Sequence, residues 1–434
     1  MIRTVRVAAI QLRAHDRDEF AHSFERIKVS IAEAAAGADL IVLPEATFPA
    51  YVLGAQPLDV AAIARALDSL REIAEATRTV IVAGAADVRD GVVRNSAYVI
   101  DANGSLAGRA DKLFLWHFDR RWFARGERLE PIETSIGRLG VLICADGRLP
   151  TIARTLVDRG AAVLVMPTAW VTSGRDPQSL ENVQADLLGR VRAYENRVPF
   201  VAANKCGTEL GMVAYCGKSQ VVDRDGTVLA IAGERDPQTL FSSIDLVNDP
   251  PPRAGNVARL PARQSLGSES LRIAISLDPL PDDIDARLNT LDDTYALSPY
   301  DPDGLATLDR ALPAAAASDG LVVDPAGLVA YRRAGYCLIV WSTDLPAPWS
   351  ERLARARALE LRLYLVVFDR RAGRAFAVDP DGVIIAGTFD GYRLASFALD
   401  PRKTIETLVA PSTDVREGLE RVSAIVDASE TAAT

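Results

Sequence analysis

Glu45, Lys112 and Cys144 each follow an apolar, strand-like run: "IVLPE" (41–45), the stretch from Leu106 into "DKLFLW" (111–116), and "GRLGVLIC" (137–144). A carboxylate, an ammonium and a thiol divide labour well. The thiolate is the effective nucleophile, and its pKa falls near cations or helix N-termini. Cys144 precedes a helix expected from Pro150, and Lys112 is the cation available to it. Glu45 can take the thiol proton and return it to a leaving amine. Lys112 and the backbone N–H of Ala145 can bind a developing oxyanion, a contribution of about 2.7–4 kcal/mol per well-placed donor. Free cysteine is otherwise a small, buried hydrophobe, so Cys144 acts as a nucleophile only if the three groups meet.

The elements around these residues bring them together. "VRVAAIQL" (5–12) reads as a buried strand, 20–38 as an amphipathic helix ending near Gly37, and "DLIVLPEATFP" (39–49) as a strand broken by Pro44. A helix at 59–78 and strands at 79–88, 93–101 and 106–116 follow. Beyond Cys144 come a helix at 150–159, a strand at 161–170, a long helix at 178–197 and a strand at 199–206. A hairpin at 217–233 turns at Asp225-Gly226, a strong turn signal. This alternation predicts an α/β domain with a mixed sheet. In such sheets the C-terminal strand ends share the edge where pockets form.

At 434 residues the chain is long enough for two domains. A formal charge of −9 argues against a nucleic-acid partner, which needs a basic face. The N-terminus enters a strand directly, without the apolar core of a signal peptide, and no apolar stretch reaches the roughly 18–20 residues of a membrane span. A cytoplasmic protein without a membrane partner is the expectation. Cys144, Cys206, Cys216 and Cys337 form no CxxC pair, and there are three histidines, so no metal site is expected.

Residues 248–270, rich in proline and polar groups, read as a linker. Beyond it "LRIAISLD" (271–278) echoes 5–12, and "SDGLVVDPAG" (318–327) echoes "ADLIVLPEAT". "RALELRLYLVVFD" (357–369) matches "RAYENRVPFVAAN" (192–204), and "AVDPDGVIIA" (377–386) matches "VVDRDGTVLA" (221–230). The order is preserved, which predicts a diverged internal repeat. In this reading Asp324-Pro325-Ala326 replaces the glutamate motif, the counterpart of about 90–150 is missing, and Cys337 falls near Val163. The predicted division is a catalytic domain at 1–247, a linker at 248–270, a degenerate non-catalytic domain at 271–410 and a tail at 411–434.

Taken together, "IVLPE", "DKLFLW" and "GVLICADGRLP" (140–150) resemble the Glu, Lys and Cys motifs of the nitrilase or carbon–nitrogen hydrolase superfamily, in its order. "RNSAYVIDANG" (94–104), "RAYENRVPFVAANKCG" (192–207) and "GKSQVVDRDG" (217–226) support the resemblance, which covers about 5–246. It implies an αββα sandwich and hydrolysis of a non-peptide C–N bond in a small amide or N-carbamoyl compound, through a cysteine thioester and without a cofactor. Family members pair two αββα units, so the truncated second copy is expected to form an intrachain pseudo-dimer, with further homo-oligomerisation left open.

The chain departs from the family pattern at several positions. Asp119, in "HFDRRWFARG" (117–126), stands where a second glutamate is usual, with Glu127 the other candidate. Thr151 replaces a glutamate that normally partners the arginine, which leaves Arg148 free to pair with a substrate carboxylate. Trp170 is a candidate wall of the substrate pocket. Nitrile hydrolases of the family usually carry Trp-Glu after the cysteine, whereas Ala145-Asp146 stands here, closer to amidases and carbamoylases. A nitrilase and a non-catalytic scaffold are the alternatives.

Overall fold

Strand β1 (Arg3–Arg13) alternates exposed and buried residues at its start and is buried from Val7 to Leu12. It is covered on both faces because a helix packs on one side of its sheet and a second sheet on the other. β1 pairs in parallel with β2 (Leu40–Val42), Val7 opposite Leu40, and antiparallel with β14 (Gln238–Leu246), Val5 opposite Ile244. In this computed structural model residues 3–172, 180–246, 251, 270–280, 294–300 and 302–433 are described. They fall into two units, 1–251 with 410–413 and 417–434, and 252–409 with 414–416.

In the first unit β2 continues in parallel into β3 (Val80–Arg89), then antiparallel into β4 (Val92–Ile100) and β5 (Leu106–Asp111). On the other side β1 meets β10 (Lys205–Glu209) and then β11 (Val213–Cys216). Helices α1 (Phe20–Ala35) and α2 (Val60–Thr77) bury Phe20, Ile27, Ile31, Ile63 and Leu70 against Ala8, Ile10, Ile41 and Ile81. Residues three and four apart share a helix face, so these side chains form one stripe. Asp59 starts α2 by accepting the Ala62 N–H at 2.9 Å, an N-cap bond.

The second sheet runs β6 (Ile132–Thr134), β7 (Gly137–Val141), β8 (Val163–Pro167), β9 (Phe200–Ala203), β12 (Gln220–Val222) and β13 (Val228–Ile231). α3 (Pro150–Asp158) packs on β7 and β8, and α4 (Gly189–Asn196) on β9 and β12, while β1 to β3 face β8 and β9. The order of layers is therefore helix, sheet, sheet, helix. The helix expected at 178–197 is shorter. Its described part is a π-helical turn at Gln184–Leu188 running into α4. Asn182 Oδ1 accepts the Gln184 N–H at 2.9 Å, which sets the start in the manner of an N-cap, and Arg197 ends it with φ +54°.

The second unit opens with β15 (Leu271–Ser276), parallel to β16 (Thr294–Leu297) and antiparallel to β22 (Leu394–Leu399). After α5 (Pro302–Ala311) come β17 (Ala314–Ala317), two short helices α6 (Asp319–Val323) and α7 (Pro325–Arg333), β18 (Leu338–Thr343) and α8 (Trp349–Leu361). β19 (Tyr364–Asp369), β20 (Arg374–Val378) and β21 (Ile384–Gly387) complete a five-stranded sheet. Along β17-β18-β19-β20-β21 the pairings are parallel, parallel, antiparallel, antiparallel, as along β7-β8-β9-β12-β13. A register shift falls between Val221 and Val222 in one sheet and between Ala377 and Val378 in the other.

These pairings change two expectations. Residues 318–327 do not stand beside β15 as the counterpart of the Glu45 strand. They are the helical turn after β17, and the strand beside β15 is β16. Among the described residues no strands corresponding to β3–β6 lie between β16 and β17, whereas a turn and a Pro-initiated helix like those after β7 are present. Set beside the first unit, the strands without a described match are β3–β6, residues 80–134, rather than 90–150. The sequence echo misled because Asp-Pro and Pro-Glu motifs both follow short apolar runs, and only the hydrogen-bonded partner tells them apart. The expected linker 248–270 lies outside the described residues apart from Pro251 and Ser270. Residues 411–434, expected as a tail, contain a helix, α9 (Val415–Ala433), of which 417–433 belongs to the first unit.

Candidate active site

Glu45 follows β2 and is fully buried. Its backbone N–H donates to Thr168 O at 3.2 Å, and Ala46 turns the chain with φ +43°. That turn presses on β3 at Gly84, where a Cβ would stand 2.4 Å from Pro44 O and 2.7 Å from Glu45 Cα. Only glycine admits so close an approach. Lys112, just past β5, extends Nζ to within 2.7 Å of Glu45 Oε1 and 2.6 Å of Asp119 Oδ2. All three groups are wholly shielded from solvent. Burial opposes the ammonium, but Asp119 and Glu45 outweigh it and hold the Lys112 pKa well above its ordinary value.

Asp119, not Glu127, is thus the second carboxylate at Lys112. It sits in a helical turn, His117–Arg121, where Oδ2 also accepts the Trp116 N–H at 2.8 Å and Oδ1 accepts the Tyr51 hydroxyl at 2.5 Å. Glu127 is exposed. The shorter aspartate side chain reaches Lys112 because the turn carries its backbone inward.

Cys144 begins a tight turn, Cys144–Arg148, after β7, with φ +47°. This left-handed conformation costs energy in a non-glycine residue and is often found at functional sites. Two buried groups hold the turn. Asp146 accepts N–H bonds from Leu113 at 3.0 Å, Phe114 at 2.7 Å and Ile143 at 2.9 Å, so one carboxylate ties the cysteine turn to the chain leaving Lys112. Burial nevertheless pushes its pKa up to about 7. Arg192 Nε donates to Gly147 O at 2.9 Å while Nη1 binds Glu195 at 2.6 Å. Ala145 lies buried within the same turn.

Burial, then the Glu45 charge, pushes the Cys144 thiol up to about 12, against Lys112 and contacts with Thr168 and Ala169. Burial thus favours the thiol form of Cys144 over the thiolate. Glu45 Oε1 is occupied by Lys112 and by Asn95 Nδ2 at 2.7 Å, while Oε2 is buried without a hydrogen-bond partner. A carboxylate with one oxygen fixed and one open suits proton transfer.

Arg148 ends the cysteine turn with its guanidinium 4.4 Å above the Trp116 ring, a cation–π contact. Its Nε is buried without a partner, and no described carboxylate lies within ion-pair distance. Burial lowers its pKa to about 10. Trp170 is buried; its backbone N–H donates to Asn204 Oδ1 at 2.8 Å, and its indole Nε1 has no partner among the described residues. It follows Thr168, whose carbonyl accepts the Glu45 N–H at 3.2 Å.

Sequence reasoning missed Asn95, Asp146 and a buried cluster around Tyr51. Lys205 Nζ reaches Ala46 O at 3.1 Å and Glu209 at 3.5 Å, and lies 5.9 Å and 5.5 Å from the Tyr51 and Tyr215 ring centres. Glu209 also accepts the Tyr215 hydroxyl at 2.7 Å and the Val52 N–H at 2.5 Å. Lys205 so braces the turn that presents Glu45. Its signal was the charged residue in the otherwise apolar "FVAANKCG".

Residues 6–248 match the family model for carbon-nitrogen hydrolases. The chain belongs to the carbon–nitrogen hydrolase family. It is 32% identical over 232 residues to an (R)-stereoselective amidase of a Pseudomonas species, covering 53% of this chain and 81% of that protein. A nitrilase of Pyrococcus abyssi is 30% identical over 217 residues, 48% of this chain and 78% of its own length. A carbon-nitrogen hydrolase from Helicobacter pylori superposes with a TM-score of 0.51 at 24% identity, over 56% of this chain and 90% of that one, and shares the fold. The chain is thus a hydrolase of the nitrilase superfamily, and among its described residues no helix is long and apolar enough to cross a membrane.

Proposed function

We propose that the first unit hydrolyses a small amide or N-carbamoyl compound that carries a carboxylate, through a thioester on Cys144. Glu45 accepts the thiol proton as sulfur attacks the carbonyl carbon. Lys112 Nζ and the Ala145 N–H receive the negative oxygen of the tetrahedral intermediate. Its collapse breaks the C–N bond, and Glu45 returns the proton to the departing amine. Water, deprotonated by Glu45, then attacks the thioester and releases the acid and the thiol. Asp119 and Tyr51 hold Lys112 in place.

The observation that carries the substrate class is Arg148. A guanidinium held on Trp116, one short turn from the proposed nucleophile and with no carboxylate partner among the described residues, suits bidentate recognition of one from a substrate. A screen of small amides, ureas and N-carbamoyl amino acids, wild type against Cys144→Ala, tests the activity. Arg148→Gln should raise KM for carboxylated substrates about tenfold or more, the worth of a lost charge-assisted pair, and spare uncharged amides. Equal effects on both would remove the carboxylate from the reading. Turnover of nitriles and not of amides would favour the nitrilase alternative.

The second unit we read as a diverged copy without an active site. Leu40 is opposite Val7 and Tyr295 opposite Ile273; five residues on from each stand Glu45 and Tyr300. Leu139 is opposite Val163 and Ala314 opposite Leu338; five residues on from each stand Cys144 and Asp319. No counterpart of the Lys112 segment exists among the described residues. Asp319 accepts the Trp341 indole N–H at 2.8 Å, a structural role.

A further inference from the structure

The chain between β5 and β6 forms an irregular strap whose inner side carries the chemistry: Asp119 meets Lys112, and Trp116 meets Arg148. Its outer side is held by residues about 300 positions later that belong to the same unit. His117, at φ +44°, cannot satisfy its backbone N–H within a regular helix and donates it to Thr413 Oγ1 at 2.7 Å. Arg125 and Arg120 converge on the Glu417 carboxylate at 2.5 Å and 3.4 Å. Gly418 lies so close that a Cβ there would stand 2.7 Å from Phe114 Cε2 and 2.9 Å from Leu149 Cδ1. Phe114 belongs to the strap, and Leu149 directly follows the cysteine turn. Further along α9, Arg421, Ala424 and Ile425 line a groove with Glu127 and Leu129.

We propose that the start of α9 clamps the active-site strap, so that Thr413, Glu417 and Gly418 are positioning residues for Lys112 and Arg148. The proposal rests on the roles given to those two residues above. A polar bond, an ion pair and a close packing contact act at three separate points of the strap, at His117, at Arg120 with Arg125, and at Phe114. Displacing the strap would move Lys112's second carboxylate and the ring beneath Arg148 together.

Full-length protein provides the test. Gly418→Ala and Gly418→Leu place carbon where Phe114 and Leu149 stand, while helix propensity favours both residues over glycine. A helix that merely covers the surface would keep its melting temperature and leave turnover alone. The clamp predicts a stepwise fall in kcat, a few-fold for alanine and about tenfold or more for leucine, as expected for misplacement of reacting groups, with KM for an uncharged amide little changed. Amide hydrogen exchange in 113–125 should accelerate about tenfold in Gly418→Leu while that of β1 stays as in wild type. Thr413→Val should speed exchange at His117, and Thr413→Ser should restore it. Unchanged strap exchange in Gly418→Leu, or loss of kcat only alongside a lower melting temperature, would overturn the clamp. If wild type turns over no amide, faster strap exchange still supports the clamp and it is the amide reading that fails.

Discussion

Arg192 and Arg357 perform the same task in the two units, and Cys144 and Asp319 do not. Each arginine is fully buried, binds a glutamate three residues on at 2.6 Å, and directs Nε to a carbonyl of a helical turn, Gly147 O at 2.9 Å or Val322 O at 2.8 Å. Each turn precedes a helix with proline at its first position, which fits proline's missing N–H. The framework of the turn is therefore independent of the chemistry it presents. Glu45 is different, because its buried charge needs Lys112 and Asn95, and both come from the β3–β6 region. In the second unit, whose described residues hold no such strands, the residue proposed to correspond is Tyr300, uncharged and 67% exposed. An acid left there would have neither a cation nor a burying sheet.

The comparison can be broken most directly at the two turns. Cys144→Ser should lower turnover at least ~1,000-fold, as loss of a nucleophile does, while Asp319→Ala leaves kcat unchanged; steady-state kinetics on a substrate found by screening decides. Appreciable activity in Cys144→Ser, or a large loss in Asp319→Ala, would mean that the units had been assigned the wrong roles. Asp119→Asn should reduce kcat about 100-fold with a smaller change in stability, since a misplaced Lys112 costs transition-state binding.

The framework offers the next test. Arg192→Met and Arg357→Met each remove the arginine from a buried ion pair and should cost about 3–5 kcal/mol in denaturant unfolding. Well below the melting temperature only Arg192→Met should lower kcat, because Gly147, and not Val322, belongs to the turn proposed to present the nucleophile.

A separate test of the cysteine turn is kinetic and depends on pH. With burial and Glu45 holding the Cys144 pKa near 12, the fraction of thiolate rises tenfold per pH unit below that value. Iodoacetamide alkylation of Cys144, followed by intact mass, should therefore keep rising between pH 7 and about 10. A plateau below pH 8 would show a resting thiolate, and Glu45 would then not be needed for the first proton transfer.

From the sequence alone Glu45, Lys112 and Cys144 could be read as strand-end residues of one α/β sandwich, and the structure brings Glu45 and Lys112 into contact with Cys144 beside them. Apolar runs and their order carry that information because strands buried on both faces have little compositional freedom. The Asp225-Gly226 hairpin was legible for a similar local reason, with Gly226 at φ +80°. The choice between Asp119 and Glu127 was not, since both follow Lys112 within reach and only the turn at His117–Arg121 points one of them inward. Asn95, Asp146, Lys205 and Glu209 are ordinary polar residues until the sheets close over them and each must find a partner. The register of the second unit likewise emerged only from strand pairing, and the place of α9 only from contacts spanning about 300 residues. Local pattern determines which segments can be strands or helices. Burial and long-range hydrogen bonds decide which charges meet, because a charge removed from water is tolerated only where the fold supplies its counterpart.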